Sequence, residues 1–360
     1  MAKLVLTTSD LKNQIKDKLP SFAQANCLFT KKAFEQCTAE SIAQYKAQTF
    51  SGNSLLVLAG GLGVDDWAFS QSFKQVISIE PSIELNAISL FNFNKLNINN
   101  ITRLSTTAEK FLAENSTVFD AIYIDPDRRL EDKRQILLKD HLPNCIELMP
   151  ILKKMANTIL IKCSPLYDYE QAFKELDNIE TMYALSRNGE MKELLLVCGK
   201  TSVDPKNCLL HAVDIKQTQI HSVTFKIDDQ INTHTTYQGK YLYEAGASVV
   251  KIRQHLQYAT QLHLGVIDRS VPYFNHSELI DNFNGRTFEI LYSAEFSAKS
   301  CVKYLKEQGI SKINLKVRGL PYSTDALRQS LKIKEGGEDF LFVLPCEGKA
   351  RFFYCKKVSN

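Results

Sequence analysis

The stretch SLLVLAGGLGVDD, residues 54–66, decides the fold of this chain. Its apolar first half predicts a buried strand, and the glycines that follow predict a tight turn into a helix. Two further apolar runs also end in polar residues: VISI, residues 76–79, ends on Glu80, and AIYI, residues 121–124, ends in DPDRR. Strands that end in glycines or acids, with helices between them, are typical of a parallel α/β sheet whose ligand lies at the C-terminal ends of the strands.

The glycine turn and the acids after it indicate a ligand that contains a nucleoside. Glycines let a ligand touch the backbone, because no Cβ blocks the approach. Glu80 follows about 20 residues later, where an acid accepts hydrogen bonds from ribose hydroxyls. The dinucleotide fingerprint G-x-G-x-x-G needs a third glycine, and this chain has Asp66 instead. The Asp125-Pro126 pair then favours methyl transfer from S-adenosylmethionine (SAM), since a strand-end aspartate can hold an amine and the proline stiffens the corner.

These motifs together resemble the class I SAM-dependent methyltransferases, and more narrowly the bacterial methyltransferases that carry a C-terminal THUMP-like domain. The glycine-rich core of that family reads DLTGGLGVD, and residues 57–65 of this chain read VLAGGLGVD. The family's DPARR motif corresponds to DPDRR at residues 125–129. Further matching segments lie along nearly the whole chain: IKCSP at 161–165, KELL at 192–195, YLYE at 241–244 and the glycine pair at 336–337.

The resemblance implies SAM as the cofactor and a set of site residues at the strand ends. Asp125 and Pro126 are the expected catalytic pair, in which Asp125 accepts a hydrogen bond from the amine that takes the methyl group. The expected cofactor-binding residues are Ala59, Gly60, Gly61, Gly63, Glu80, Thr107 and Asp125. The expected substrate-binding residues are Arg128, Arg129 and Lys162, and no metal is expected.

Several of these side chains leave a structural alternative open. Arg128 and Arg129 suit a clamp on a phosphate or carboxylate, and they equally suit salt bridges within the protein. The Lys162 side chain either faces the acceptor pocket or, as an equal alternative, is solvated. Asp65 is expected to cap the helix after the glycine turn. The helical segment before the sheet is expected to pack as a lid, and a sharper hypothesis puts Tyr45 and Lys46 at the substrate entrance.

Two positions depart from the family pattern. Val57 stands where the family has an acid at the end of the first strand, so a contact to the methionine end of SAM is absent. The acid commonly found after the third strand is replaced within STT, residues 105–107. These departures keep open a second hypothesis, a non-catalytic RNA-binding protein with a degenerate SAM pocket.

Composition restricts the class of protein. Hydrophobic residues make up 44% and charged residues 23%, which is ordinary for a soluble globular protein, and the net charge of +4 permits a nucleic acid as partner. The cysteines form no C-x-x-C pair, which argues against a zinc site. No apolar run approaches the ~20 residues that span a bilayer. The N-terminus becomes polar too early for a secretory signal, so a cytoplasmic protein is expected.

The pattern along the chain predicts an N-terminal helical segment at 1–48, a methyltransferase domain at 49–200, a connecting β-rich subdomain at 201–284 and a THUMP-like domain at 285–360. Strands at 181–187 and 193–199, separated by Asn-Gly, predict the hairpin that ends a class I methyltransferase sheet. A helix is predicted over 245–256, and the last segment predicts the order β-α-β-α-β-β with Ser323 capping its second helix. The expected fold class is α/β: a Rossmann-like methyltransferase sheet with an N-terminal helical segment and a C-terminal α+β, ferredoxin-like domain.

The leading functional hypothesis is methylation of RNA at an exocyclic or ring nitrogen of a base, with the C-terminal domain docking the substrate. RNA is inferred from the THUMP-like resemblance, the DPDRR motif and the surplus of Lys and Arg in the last domain, which suits phosphates. A protein or small-molecule methyltransferase is an alternative within the same class. A NAD-dependent oxidoreductase is the third hypothesis. It is disfavoured because Asp66 stands where the dinucleotide fingerprint needs a glycine.

Overall fold

The structure is a computed structural model that describes residues 9–128, 137–216 and 219–358. The chain folds as two compact units. The first runs to His211 and also contains Ile215–Gln219, and the second contains Ala212–Asp214 and the chain from Ile220 onward.

Four short helices precede the sheet of the first unit: α1 (Ser9–Lys18), α2 (Pro20–Gln24), α3 (Lys31–Gln36) and α4 (Glu40–Thr49). Pro20 is the first residue of α2. Its missing N–H costs no hydrogen bond there, because the first N–H groups of a helix have no partner within the helix. Phe22 belongs to the same buried cluster as Val57 and Trp67, and its ring meets the Trp67 ring edge-on at 5.3 Å between centroids. The N-terminal helices therefore form part of the core of the first unit.

Strands and helices alternate through the rest of the first unit. The strands are β1 (Gly52–Leu58), β2 (Phe73–Ile79), β3 (Ile101–Leu104), β4 (Phe119–Ile124), β5 (Asp127–Arg128), β6 (His141–Leu142), β7 (Ala156–Cys163), β8 (Ile179–Arg187) and β9 (Glu190–Cys198). The helices are α5 (Val64–Phe69), α6 (Ile83–Lys95), α7 (Ala108–Glu114), α8 (Cys145–Met155) and α9 (Tyr169–Glu175). Two single 3₁₀ turns cover Leu138–Asp140 and Pro205–Asn207.

The strand order of the first unit is β3-β2-β1-β4-β7-β9-β8, with β5 and β6 forming a separate ribbon. Strands β1, β2, β3, β4 and β7 are parallel, whereas β9 is antiparallel to both β7 and β8. The predicted hairpin is confirmed: Asn188 and Gly189 have φ of 53° and 76°, the positive values that a tight two-residue turn requires. This arrangement places the ends of β1, β2, β4 and β7 along one edge, which is where the site residues lie.

The second half of the chain adds the remaining elements. After the hairpin come β10 (Leu209–Lys216), β11 (Gln219–Lys226), β12 (Tyr241–Ala245), α10 (Ala247–Lys251), α11 (His255–Gln261), β13 (Gly265–Val266), β14 (Tyr273–His276), β15 (Gly285–Glu295), α12 (Ala298–Glu307), β16 (Asn314–Val317), α13 (Thr324–Leu331), β17 (Asp339–Cys346) and β18 (Lys349–Lys357). A seven-stranded sheet of order β13-β14-β12-β15-β18-β17-β16 supports the second unit.

The C-terminal part of this unit has the predicted order β-α-β-α-β-β, and Ser323 accepts a hydrogen bond from the Ala326 N–H at the start of α13, as predicted. The helix predicted over 245–256 is wrong as a single element. Two short helices replace it, because Arg253 between them has the left-handed φ of 55°. Strand β12 pairs with β15, so residues on both sides of the predicted boundary at 284 share one sheet, and the domain boundaries stay predictions.

No helix within residues 9–128, 137–216 and 219–358 combines the length and apolar character that crossing a bilayer requires. In those same ranges, no group of three His, Cys, Asp or Glu side chains is arranged to hold a metal ion.

Candidate active site

The glycine turn lies between β1 and α5. At two of its glycines the surrounding atoms leave no room for a side chain. A Cβ on Gly60 would lie 2.3 Å from Ser78 Oγ, and a Cβ on Gly63 would lie 2.6 Å from the Phe93 ring. Gly63 also has the left-handed φ of 80° that favours glycine. Packing within the unit therefore requires glycine at both positions, and the contact of this turn with a cofactor stays a prediction.

Glu80 follows β2 and contacts this turn directly. Its Oε2 accepts a hydrogen bond from the Gly61 N–H at 2.9 Å, and its Oε1 accepts one from the Ser82 N–H at 2.9 Å. Each carboxylate oxygen has a second lone pair, so a ribose hydroxyl can share the carboxylate with these amides. The structure brings Glu80 and the glycine turn together, and the ribose contact itself stays a prediction.

Arg103, in β3, holds the glycine turn from its other side, and the sequence analysis missed it. Its guanidinium donates to the Gly61 carbonyl at 2.8 Å, to Asp66 Oδ2 at 2.6 Å and to Asn86 Oδ1 at 2.8 Å. Neither the Arg103 nor the Asp66 side chain is accessible to solvent. Gly61 is therefore fixed through both its N–H and its carbonyl, which makes the turn a rigid surface for a ligand.

The Asp125-Pro126 corner follows β4 and lies beside the start of the glycine turn. The Asp125 N–H donates to the carbonyl of Leu58, the last residue of β1, at 3.2 Å. Pro126 is buried, while the Asp125 side chain is 35% exposed. The predicted catalytic aspartate and the predicted cofactor turn are therefore adjacent, at the ends of neighbouring strands.

Lys162, on β7, pairs with this aspartate. Its Nζ donates to Asp125 Oδ2 at 2.7 Å, and its side chain is 15% exposed, so the alternative of a solvated lysine is wrong. Burial acts against its charge, but the carboxylates of Asp125, Glu193 and Asp65 outweigh burial and raise the pKa of Lys162 above its usual value. The charged form of the ammonium group is therefore favoured.

A buried polar network, made of Thr38, Lys46, Asp65, Tyr123 and Glu193, continues from Lys162 into the unit. Lys46 Nζ lies 2.7 Å from Asp65 Oδ1 and 2.8 Å from Glu193 Oε1, and it donates to the Tyr123 hydroxyl at 2.9 Å. Thr38 Oγ1 donates to Asp65 Oδ2 at 2.6 Å and accepts from Lys162 Nζ at 3.0 Å. Hydrogen bonds and ion pairs therefore connect the N-terminal helices to the catalytic corner without a break.

This network corrects two expectations. The hypothesis that Lys46 borders the substrate entrance is wrong, because its side chain is fully buried and paired with two carboxylates. The expectation that Asp65 caps α5 is also wrong, since Gly63 is the N-cap residue and no side chain accepts a capping hydrogen bond. Burial acts against the charge of Asp65, but Lys46 and Lys162 lower its pKa below the ordinary value.

The remaining predicted residues lie in different surroundings. Ala59 has a left-handed φ of 62° at the start of the glycine turn. The Thr107 hydroxyl accepts from the Lys110 N–H at 3.2 Å and so caps α7. Arg128 belongs to β5 by its backbone, and Arg129 lies outside the described residues.

The charges of the site are unequal. Three carboxylates, those of Asp65, Glu193 and Asp125, face two ammonium groups, those of Lys46 and Lys162. Burial raises the pKa of Glu193, whereas Asp125 is the acid that solvent reaches. Asp125 is therefore the carboxylate of this group that a cationic ligand can reach.

Comparison with known proteins gives one family match. Residues 285–357 match the family described as THUMP domain-like. That range begins at the first residue of β15 and ends at the last residue of β18, and so contains the whole β-α-β-α-β-β unit.

Similar proteins of known name are methyltransferases. Two proteins of Mycobacterium tuberculosis, from strains CDC 1551 and H37Rv, are named as uncharacterized S-adenosylmethionine-dependent methyltransferases. Each is 22% identical over 319 residues, which is 88% of this chain and 84% of the relative. A crystal structure from Porphyromonas gingivalis W83, whose description as a methyltransferase is provisional, has a TM-score of 0.87 at 24% identity and covers 97% of this chain and 89% of that one. The predicted resemblance and fold class are confirmed.

Proposed function

We propose, from the premise that this chain is a SAM-dependent methyltransferase with a THUMP-like C-terminal domain, that it methylates a nitrogen of an RNA base. The observation that carries the proposal is the contact between Asp125 and the end of β1, which joins the catalytic corner to the glycine turn. The relatives in Mycobacterium tuberculosis are named for SAM-dependent methyl transfer, and their names give no substrate.

The residues at the strand ends fit SAM. In the glycine turn, the backbone of Gly60, Gly61 and Gly63 would contact the nucleoside. Glu80 would accept hydrogen bonds from the ribose hydroxyls. SAM supplies an electrophilic methyl group on a positively charged sulfur. The partly exposed Asp125 carboxylate suits that cation, and the protein's own contribution is to hold the acceptor close and in line.

The acceptor is inferred to be a nitrogen because the nearby thiols are unreactive. Methylation at carbon 5 of a pyrimidine requires a cysteine thiolate that adds to the ring, and only the thiolate is nucleophilic. Burial raises the pKa of Cys163 well above its usual value and that of Cys37 to about 11, so both carry a neutral thiol. Asp125 can instead accept a hydrogen bond from an N–H of the acceptor, which turns the nitrogen lone pair towards the methyl group.

RNA is proposed as the substrate because lysines line one edge of the THUMP-like domain. Lys312 and Lys334 form an isolated parallel bridge beside β16, the last strand of the sheet, and both side chains are exposed, as is that of Lys332. A Cβ on Gly337, one of the glycine pair shared with the family, would lie 3.2 Å from the Lys312 carbonyl, so the motif shapes this edge. Adjacent ammonium groups neutralise successive phosphates.

A transfer assay tests the proposal. The purified protein is incubated with radiolabelled-methyl SAM and with total RNA or total protein from cells that lack the gene. We expect label in the RNA fraction that ribonuclease removes, and none with Asp125→Ala. Label confined to protein or to small molecules would support the alternative methyltransferase.

Calorimetric titration with SAM tests the other alternative. We expect binding by the wild type and weaker binding by Glu80→Ala, because that carboxylate would hold the ribose. RNA binding without any heat from SAM would instead favour a non-catalytic RNA-binding protein with a degenerate pocket, the hypothesis that Val57 raised.

A further inference from the structure

The proposed function gives no role to the N-terminal helices, although Thr38 lies in the buried polar network. We propose that Thr38 is a positioning residue of the active site. It holds the Lys162 ammonium on Oδ2 of Asp125, which leaves Oδ1 to accept from the methyl acceptor. The proposal rests on the proposed function, because it assigns Thr38 to the same reaction.

The direction of the hydrogen bonds supports this role. A threonine hydroxyl has one hydrogen and two lone pairs. Thr38 Oγ1 lies 2.6 Å from Asp65 Oδ2, an acceptor, and 3.0 Å from Lys162 Nζ, a donor. The hydroxyl hydrogen must therefore point to Asp65, and a lone pair must point to Lys162, so the hydroxyl can adopt only one orientation.

The Asp65 carboxylate cannot move to relax this orientation. Its Oδ1 pairs with Lys46 Nζ at 2.7 Å, and its Oδ2 also accepts from the Tyr123 hydroxyl at 3.1 Å. Lys46 is in turn held by Glu193 at 2.8 Å. Thr38 is consequently anchored to a carboxylate that the Lys46 ammonium and the Tyr123 hydroxyl keep in place.

Lys162 needs such an anchor because its charge sits on a flexible four-carbon stem. Two of its ammonium hydrogens are directed, one to Thr38 at 3.0 Å and one to Asp125 at 2.7 Å. Without the Thr38 oxygen, the ammonium and the aspartate can turn together while remaining paired. The oxygen that meets the acceptor would then shift, and displacements of about 1 Å are known to lower rates about a hundredfold.

Thr38 lies in the connection between α3 and α4, and a matched control lies three residues away. Ser41, in α4, has a buried Oγ with no hydrogen-bond partner among the described residues. Ser41→Ala therefore removes a buried hydroxyl from the same segment without touching the network.

The test compares Thr38→Val, Thr38→Ser and Ser41→Ala in the RNA methylation assay. We expect Thr38→Val to lower kcat roughly ten- to a hundredfold while the KM for SAM stays within about twofold, since the loss acts on alignment and not on cofactor binding. Thr38→Ser keeps the hydroxyl and should recover most of the rate, and Ser41→Ala should match the wild type. Thermal unfolding shows whether each variant is folded at the assay temperature.

A second readout is independent of the reaction. Nitrogen-15 NMR detects lysine ammonium groups that are held away from rapid exchange, and Lys162→Arg assigns the signal. We expect Thr38→Val to broaden the Lys162 signal and Thr38→Ser to keep it. A wild type that labels RNA beside a folded Thr38→Val of equal kcat, or an unchanged Lys162 signal, would overturn the proposal. A wild type that labels no RNA would instead refute the proposed function.

Discussion

Removing the buried Lys46 ammonium should destabilise the first unit in a way that depends on pH. Lys46→Met keeps the length of the side chain and removes its charge, so Asp65 and Glu193 lose their shared cation at 2.7 and 2.8 Å. Asp65 keeps the Thr38 and Tyr123 hydroxyls as donors, whereas Glu193 loses the cation that offsets its burial. Glu193 is therefore the acid that must take up a proton in the folded variant.

The free energy of protonating Glu193 sets the size of the expected loss of stability. The ordinary pKa of a glutamate is 4.5, so binding a proton at pH 7 costs about 3 kcal/mol at about 1.36 kcal/mol per pH unit. This agrees with the about 3–5 kcal/mol lost when one partner of a buried ion pair is removed. The folded pKa of Glu193 in the variant lies above its unfolded value, so stability is lost as pH rises through this window. Because the pKa of Glu193 is already raised in the wild type, these figures are the largest deficits expected: up to about 3 kcal/mol at pH 7 and under about 1 kcal/mol at pH 5.

Urea unfolding of the wild type and Lys46→Met at pH 5, 6 and 7 measures this deficit. The matched control is the double variant Lys46→Met/Glu193→Gln, which removes both charges and should regain most of the lost stability at pH 7. A deficit that is the same at all three pH values, or a double variant less stable than Lys46→Met alone, would refute the ion-pair reasoning.

The remaining predictions concern catalysis, the glycine turn and RNA. Asp125→Asn keeps the shape of the corner and removes its charge, and we expect kcat to fall about a hundredfold or more; an unchanged kcat would contradict the assigned role. Gly60→Ala puts a Cβ 2.3 Å from Ser78 Oγ, so urea unfolding should show a loss of about 1–3 kcal/mol that Ser78→Gly in the same chain partly restores, and a stable single variant would argue against this packing. Lys312→Ala with Lys334→Ala should lower the slope of log binding constant against log salt by about two in RNA titrations, whereas an unchanged slope would exclude this edge from the RNA interface.

The order of elements at the strand ends could be predicted because each signal is local. The glycines at 60–63 follow an apolar run, Glu80 and Asp125 end the next ones, and Asn188-Gly189 specifies its own turn. Local signals failed where the backbone adopts a conformation that is unusual for the residue type. Arg253 has a left-handed φ without being a glycine or an asparagine, so the break between α10 and α11 had no visible cause in the sequence.

The residues that support the site were missed because their partners are distant in sequence. Lys46 and Tyr123 are 77 residues apart, and Thr38 and Lys162 are 124 residues apart. A weak signal did exist: Lys46 interrupts the apolar face of α4, directly before the buried Ala47. A charged residue on an apolar helix face indicates a buried partner but does not identify it, since the partner depends on the fold.

Val57 shows how far the missing first-strand acid affects the site. It is aligned with Ser78 in β2 and with Tyr123 in β4, and Ser78 is aligned with Arg103 in β3, so the four side chains share one face of the sheet. That row lies beneath the first turn of α5, where Arg103 pairs with Asp66. Val57 is fully buried within the apolar cluster of the unit.

In the proposed function, the loss of the acid acts on the affinity for SAM. A carboxylate at position 57 would add one charge-assisted hydrogen bond to the cofactor, worth about 1.5–3 kcal/mol. Its absence weakens binding by roughly ten- to a hundredfold, which moves a micromolar site towards the upper micromolar range without abolishing it. The glycine turn, fixed by Glu80 and Arg103 on either side of Gly61, keeps the remaining contacts preorganised. A loose turn would favour a degenerate pocket, whereas these two hydrogen bonds fix Gly61 in one position.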